Sequence, residues 1–366
     1  MNIVAKNTVA LALTLGLAAP ACLASGSPAD GPRTNATAAK APVEFRDLTV
    51  VQWNVENLFD TADDPGNPGD DPFTPRGWEH WTDSHYQAKL EHLAWVLDRL
   101  RGDIVCLEEV ENRRVLEDLV AVLRRNYHRS YEHITHRDGT DHRGIDVAMI
   151  SALKPTAVRW LTPVHEQRDI LVADFQAGGK PVTVMVNHWK SRLGPKAEAT
   201  AIRAKEAKAV RIEVDRMLAA NAAAAIMLVG DFNDDFDGRA MTEWFGSATN
   251  LQDVLTDPLG KLFYSLHAGL PPDARGTIFY KKNRSWDSFD SISVSRSMVA
   301  PATQSNSGWR VQSGSYEVVR LSETADENGV PKPFRRLNKG ETAWGGYMEG
   351  YSDHFPVRVA ITLNGN

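Results

Sequence analysis

The sequence predicts an α/β protein built on mixed sheets. Three observations carry that expectation: short apolar runs alternating with helical periodicities, a middle stretch where strand signals crowd at hairpin spacing, and polar residues that recur where strands end. The 366 residues are 42% apolar and 24% charged, ordinary for one large domain or two small ones. A formal charge of −6 argues against a protein that grips nucleic acid through its overall charge. Any polyanion site must therefore be focused on a local basic patch. No internal repeat stands out.

The N-terminus reads as a targeting segment. Lys6 precedes an apolar core over residues 8–19, and small residues follow at Ala19, Ala21 and Ala24. That pattern describes a secretory signal peptide across residues 1–24, cut after Ala21 or Ala24, and its apolar core is shorter than the roughly 20 residues that span a bilayer. Residues 25–42 are rich in Ala, Pro, Gly, Ser and Thr and read as a flexible linker, so the folded domain is expected over 43–366. An exported protein follows, periplasmic or secreted, with no transmembrane segment once the signal is removed and no stable protein partner indicated. Cys22 leaves with the signal, stays in the tail, or is lipidated there; Cys106, inside an apolar run, is expected as a buried strand residue. Two cysteines supply no disulfide framework. Stability must come from the core and any bound metal.

Taken in order, residues 48–54 form a β-rich run that ends on Asn54, after which the chain is expected to leave the strand. Residues 60–75 carry Asp60, Asp63, Asp64, Asp70 and Asp71 among Pro and Gly; their spacing does not match an EF-hand, and a solvated loop is expected. Tyr86, Leu90, Leu93, Leu97 and Leu100 recur at helical spacing after Thr82 or Asp83 as cap. A buried strand over 103–107 then delivers Glu108 and Glu109 to its end, and Leu116, Leu119, Val120 and Leu123 mark another helix. Strands follow at 131–135, 145–151, 170–175 and 182–186, the last ending at Asn187 and His188. A long helix spans 197–220, with Ile202, Ala209, Val210, Val214 and Met217 on one face. Eight basic residues against four acids between positions 190 and 216 suggest a solvated basic face on that helix. Residues 224–229 form a short apolar run closed by Gly230, a buried strand that brings Asp231 and Asn233 to a sheet rim. Residues 251–275 read as irregular, 277–280 as a strand with the basic turn 281–284, 288–294 as a strand holding Asp290, and 355–363 as the last strand, entered through Asp353 and His354.

Collected, the strand-end polar residues are Asn54, Glu109, His188, Asp231, Asn233, Asp290, Asp353 and His354. Any one of them is ordinarily a cap, a turn residue or a satisfied core group. Six strands that each end in metal-binding or hydrogen-bonding groups point instead to one site, because catalytic residues gather at strand ends in α/β folds. Carboxylates and amides suit a hard cation, and an attack on a phosphodiester needs one to stabilise charge on the phosphoryl oxygens. Water needs a base, for which Asp231 or the pair His354 and Asp290 could serve. No Cys or Ser nucleophile motif is evident, so direct in-line attack by water is expected.

The segments QWNVENLFD, DIVCLEEVEN, RGIDVAMIS, VNHWKSR, LVGDFND, FDSISVS and YSDHFPV occur in that order over residues 48–363. With them the chain resembles an exported bacterial member of the endonuclease/exonuclease/phosphatase superfamily, the DNase I-like fold. The resemblance implies a four-layer α/β sandwich: two packed mixed sheets flanked by helices. It implies Asn54, Glu109 and Asp353 as the metal group, with Mg²⁺, or Mn²⁺, as the ion and Ca²⁺ also considered. It implies Asp231 and Asn233 as the pair that orients water and phosphate, His188 on the phosphate, and His354 backed by Asp290. Arg143 and Asp146 lie in a matching segment, and with Lys190 and Arg192 they are the substrate-binding candidates. Glu108, Asn57 and Asp234 stand beside matched residues.

The catalytic set does not separate substrates. Nucleic acid, DNA or RNA, is the first expectation, with Lys190, Arg192, Lys281, Lys282 and Arg284 as backbone contacts. A phosphatase or a phospholipase or sphingomyelinase-type phosphodiesterase of the same superfamily is the alternative. A non-catalytic binding protein on this scaffold is the alternative of another class, and it would have lost catalytic residues that here are all chemically competent.

Overall fold

Apolar residues at alternate positions build two seven-stranded sheets that face one another. The computed structural model describes residues 45–301, 308–334 and 348–363; the expected signal peptide at 1–24 and linker at 25–42 lie outside the described residues. In chain order the strands are β1 (Asp47–Leu58), β2 (Ile104–Val110), β3 (His133–Thr135), β4 (Asp146–Ser151), β5 (Ala157–Leu161), β6 (Ile170–Ala177), β7 (Lys180–His188) and β8 (Ile226–Asp231). They continue as β9 (Ser247–Ala248), β10 (Phe263–Ser265), β11 (Ile278–Tyr280), β12 (Ser285–Asp287), β13 (Asp290–Ser295), β14 (Trp309–Val311), β15 (Glu317–Val318) and β16 (Val357–Leu363). The helices are α1 (Asp83–Leu100), α2 (Arg113–Tyr127), α3 (Lys196–Ala220) and the short α4 (Leu251–Thr256).

The first sheet runs β14-β16-β1-β2-β4-β3, with β15 on β16; the second runs β5-β6-β7-β8-β13-β10-β9; β11 and β12 form a separate hairpin. Most neighbours are antiparallel, but β1 and β2 are parallel, as are β7 and β8 and the short β9 and β10. A parallel pair needs a crossover, which α1 supplies between β1 and β2 and α3 between β7 and β8. Leu90, Leu93, Leu97 and Leu100 of α1, with Leu116, Leu119 and Leu123 of α2, pack on Val51, Trp53, Val105 and Leu107 of the first sheet. Val210 and Val214 of α3 pack on Ile170, Met185, Ile226 and Leu228 of the second. Helices, sheet, sheet and helix make the expected four-layer sandwich.

Period two explains where the polar residues go. Leu48 and Val50 of β1, Ile104 and Cys106 of β2, Val184 and Val186 of β7, and Met227 and Val229 of β8 all lie in the layer between the sheets. Continuing each alternation toward the strand's C-terminal end brings Gln52 and Asn54, Glu108, His188 and Asp231 onto the same inner face. Strand β13 runs antiparallel to β8 and pairs Asp290 with Asp231, while β16 runs antiparallel to β1 and pairs Val357 with Gln52. Topology thus brings six strand ends to one end of an otherwise apolar layer.

Several elements differ from the sequence reading. The chain does not leave β1 at Asn54: it stays paired through Leu58, with Glu56 and Asn57 in left-handed backbone and the register shifted between Asn54 and Leu58. A matching bulge at Glu109, also left-handed, extends β2 to Val110. Residues 251–275 hold α4, β10 and two 3-10 turns, each too short to show a periodicity. The strands β5, β12, β14 and β15 were not expected either; they are edge or hairpin pieces of two to five residues without apolar alternation. The acidic loop is not all solvated, since Asp60 and Asp70 are buried and accept backbone hydrogen bonds from Ala62 and Asp64. On α3, Arg203, Glu206 and Glu213 are buried, so part of the expected solvated basic face points inward.

Candidate active site

His354 is held from beneath at this end of the layer. Its Nδ1 lies 2.7 Å from Asp290 Oδ2, and Gln52 Nε2 donates to Asp290 Oδ1 at 2.8 Å. The same Gln52 amide donates to Glu108 Oε2 at 2.9 Å. Gln52 and Glu108 come from the first sheet and Asp290 from the second, so one buried chain of hydrogen bonds ties the sheets together beneath the cleft. Burial pushes the Glu108 carboxyl well up, and the Asp290 carboxylate pushes it further. Burial alone would lower the pKa of His354, but Asp290, with Asp353 and Asp231, outweighs it and holds the ring well above its ordinary value. These carboxylates thus favour the charged imidazolium form of His354.

Asp231 is oriented from both sides. Its Oδ1 accepts the Asn233 backbone N–H at 2.9 Å, and its Oδ2 accepts Asn54 Nδ2 at 3.0 Å. The same Oδ2 stands 3.6 Å from His188 Nε2 and 4.0 Å from His354 Nε2. Burial raises the Asp231 carboxyl, and the His354 charge opposes that rise. His188 goes the other way: burial first, then Arg168 and Arg143, hold it well below its ordinary value, so it is neutral. Asn233 takes a left-handed conformation, and its side-chain amide donates to the Trp189 carbonyl at 3.0 Å. Half of the donor capacity that the sequence assigned to phosphate is thereby spent on the loop after β7.

These groups open into a cleft of about 530 Å³ lined by Asn54, Glu109, Arg143, Lys190, Asp353 and their neighbours. The cleft brings together Asn54, Glu109, Arg143, His188, Lys190, Arg192, Asp231, Asn233, Asp353 and His354, with Asp290 directly beneath. Asn54, Glu109 and Asp353 offer it hard oxygen donors, and Asp353 is 44% exposed along its side chain. Such a set of carboxylate and amide oxygens fits a divalent cation, in a cleft whose other walls carry Arg143, Arg168 and Lys190. The donor atoms of Asp231, Asp290 and His354 also cluster within 4.8 Å, but Asp290 already occupies His354 Nδ1. That trio reads as an acid–histidine pair and its neighbour, not as a ligand set.

Two expected residues stand differently. Asp146 does not reach the cleft: it lines an adjoining pocket, where the Gly139 N–H donates to it at 3.0 Å. Arg192 lines the cleft, yet it pairs with Asp234, Asp235 and Asp287 at 3.3, 2.9 and 3.5 Å and stacks on Phe289, so its charge is largely compensated. Two supporting residues lie outside the expected set. Gln52 was legible, being two residues before Asn54 on one strand face. Arg168 was not: it carries no motif, and it is buried because Asp141 and the carbonyls of His188 and Trp189 take its donors.

Comparison with known proteins agrees with this fold. The profile of the Endonuclease/Exonuclease/phosphatase family matches residues 49–363. No curated protein matches the chain significantly. Among solved structures, humanized D. rerio TDP2 carrying 14 mutations superposes with a TM-score of 0.52 at 15% identity, covering 86% of this chain and 99% of that one. Truncated Caenorhabditis elegans TDP2 gives 0.51 at 13%, covering 87% and 98%, and D. rerio TDP2 with a single strand DNA product gives 0.50 at 16%, covering 86% and 99%. At such identities these neighbours share the fold, two large mixed sheets between helices. The profile takes in every strand of that fold, and the chain belongs to the endonuclease/exonuclease/phosphatase family of divalent-metal-dependent phosphoester hydrolases.

Proposed function

We propose that this protein is an exported nuclease, a phosphodiesterase that cleaves nucleic acid by in-line attack of water. The observation that carries the reading is the facing of His354 Nε2 and Asp231 Oδ2 at 4.0 Å, with Asp290 behind the ring, across a cleft rich in hard donors. Asn54, Glu109 and Asp353 would hold the divalent ion, Mg²⁺ with Mn²⁺ or Ca²⁺ as substitutes. When bound, such an ion stabilises the negative charge that develops on phosphoryl oxygens.

The chain's own residues divide the proton work. His354 in its favoured charged form accepts no further proton; it donates from Nε2 to a phosphoryl or leaving oxygen, with Asp290 fixing the ring. Asp231 is the base. Its two held oxygens aim it, and its raised carboxyl takes the proton of the attacking water more readily than an ordinary aspartate. His188, neutral, adds a hydrogen bond beside Asp231 without adding charge.

Nucleic acid is favoured over small or lipid phosphodiesters by the rim. Lys190 and Arg143 line the cleft beside the exposed Tyr280, which offers cations for a backbone and a ring on which a base stacks. D. rerio TDP2, solved with a single strand DNA product, has the same fold. Export rests on the pattern of residues 1–24. A substrate panel with Mg²⁺ or EDTA tests the reading: plasmid, single-stranded DNA, RNA, a phosphoinositide and sphingomyelin. Cleavage of nucleic acid that EDTA abolishes is the expected outcome. Hydrolysis confined to the lipid substrates would assign the site to the phospholipase class instead.

A further inference from the structure

We propose that the buried His136, with Asp138 and Asp146 from the wall of the acidic pocket beside the catalytic cleft, forms a second divalent-cation site. The pocket, about 460 Å³, is lined by the acids Asp64, Glu111, Asp138, Asp141, Asp146 and Glu166. Donor atoms of His136, Asp138 and Asp146 all lie within 4.8 Å of one another.

Acid density alone would not make a site; the orphaned donors do. The His136 side chain is only 1% exposed, and its Nε2 has no hydrogen-bond partner. That nitrogen stands 3.8 Å from Asp146 Oδ2, and Nδ1 stands 3.7 Å from Asp138 Oδ1. Both separations are too long for hydrogen bonds. A ring binds an ion through one nitrogen, and the Nε2–Asp146 separation suits two donors that share one, since ligands each about 2.1 Å from a centre lie roughly 3–4 Å apart. Asp146 is buried and its Oδ1 likewise has no partner, although Oδ2 accepts the Gly139 N–H. Buried polar atoms are ordinarily paired, so an orphaned Nε2 that faces Asp146 across 3.8 Å calls for an occupant.

Nearby cations are committed elsewhere. Arg137 pairs with Asp169, Arg168 with Asp141, and Arg113 with Glu117. Burial lowers His136 to about 4, which leaves a neutral ring with a free lone pair. Burial, with Asp141 and Asp138 adding to it, lifts Asp146 to about 7, a cost that an ion would remove. One imidazole and two carboxylates favour a transition ion, Zn²⁺ or Mn²⁺, over Mg²⁺ or Ca²⁺. The ligands sit on the segment that delivers Arg143 to the cleft, where its guanidinium donates to Asn57 Oδ1 at 2.7 Å and meets Glu109 Oε1 at 3.4 Å. The second ion therefore braces a loop rather than the reaction.

Zn²⁺ titrated calorimetrically into the metal-stripped full chain, with Mg²⁺ in excess, tests the site. Wild type is expected to bind one equivalent whose affinity falls at least about 10-fold in His136→Gln and Asp146→Asn, and persists in Glu109→Gln and Asp353→Asn. Should the buried variants fail to fold, Asp138→Asn decides, because that side chain is 84% exposed and its loss is expected to weaken binding alone. Zn²⁺ binding unchanged in Asp138→Asn and His136→Gln, or abolished only by Glu109→Gln, would overturn the proposal. Neither result bears on the substrate panel, which reports the catalytic cleft separately.

Discussion

Asp290 acts on the cleft from beneath, through His354. Replacing its carboxylate with an amide keeps the shape and removes the charge that holds the imidazolium, so Asp290→Asn is expected to lower kcat by about 10²–10⁴-fold with little change in KM. Steady-state kinetics on an activated phosphodiester read that split directly. Gln52 supplies the link below. Because Gln52 Nε2 donates to both Glu108 and Asp290, Gln52→Ala strips two buried carboxyls at once. The expected loss is about 1–3 kcal/mol in a urea melt, together with reduced turnover. At this scale the sequence was informative where chemistry and spelling coincide, as at Asn54, Asp231 and His354. It was silent where a residue acts through packing alone: Arg168 matters because backbone carbonyls turn toward it, and no residue type announces that.

Among the elements, α3 shows how burial converts a solvated-looking helix into a support. Glu206 lies buried on its inner face, accepts the Lys190 N–H at 2.9 Å, and has its carboxyl pushed up to about 7 by burial. An unfolded glutamate titrates near 4.5, so between about 4.5 and 7 the folded chain keeps a proton that the unfolded chain releases. Stability is then highest below about 4.5 at this group and falls as pH rises through 7. Glu206→Gln, which retains an acceptor for Lys190, is expected to flatten that dependence, by up to about 3 kcal/mol across the window. Thermal melts of both proteins from pH 5 to 8 measure it. The helix itself was legible from its length and periodicity, whereas its inward Arg203 and Glu206 broke the rule that charge faces water. The bulges in β1 and β2 were hidden for a related reason: Glu56, Asn57 and Glu109 adopt left-handed backbone without a glycine to signal it.

For the molecule as a whole, two parallel crossovers and two antiparallel partners bring six strand ends to one end of the apolar layer. That convergence was readable from motif order, because each motif closes a strand; the pairing order and the short edge strands were not, since they depend on contacts between distant segments. A net charge of −6 with cations gathered at one cleft predicts that KM for DNA rises steeply with salt while kcat holds, measured by plasmid or oligonucleotide cleavage across a salt series. The central claim is that a metal-dependent phosphodiesterase runs on the His354–Asp290 pair facing Asp231. Hydrolysis of bis(4-nitrophenyl) phosphate by wild type and His354→Ala, each with Mg²⁺ and with EDTA, tests it most directly. Turnover by wild type that EDTA abolishes, and that falls at least about 10²-fold in folded His354→Ala, is the predicted result; full activity in His354→Ala would contradict it.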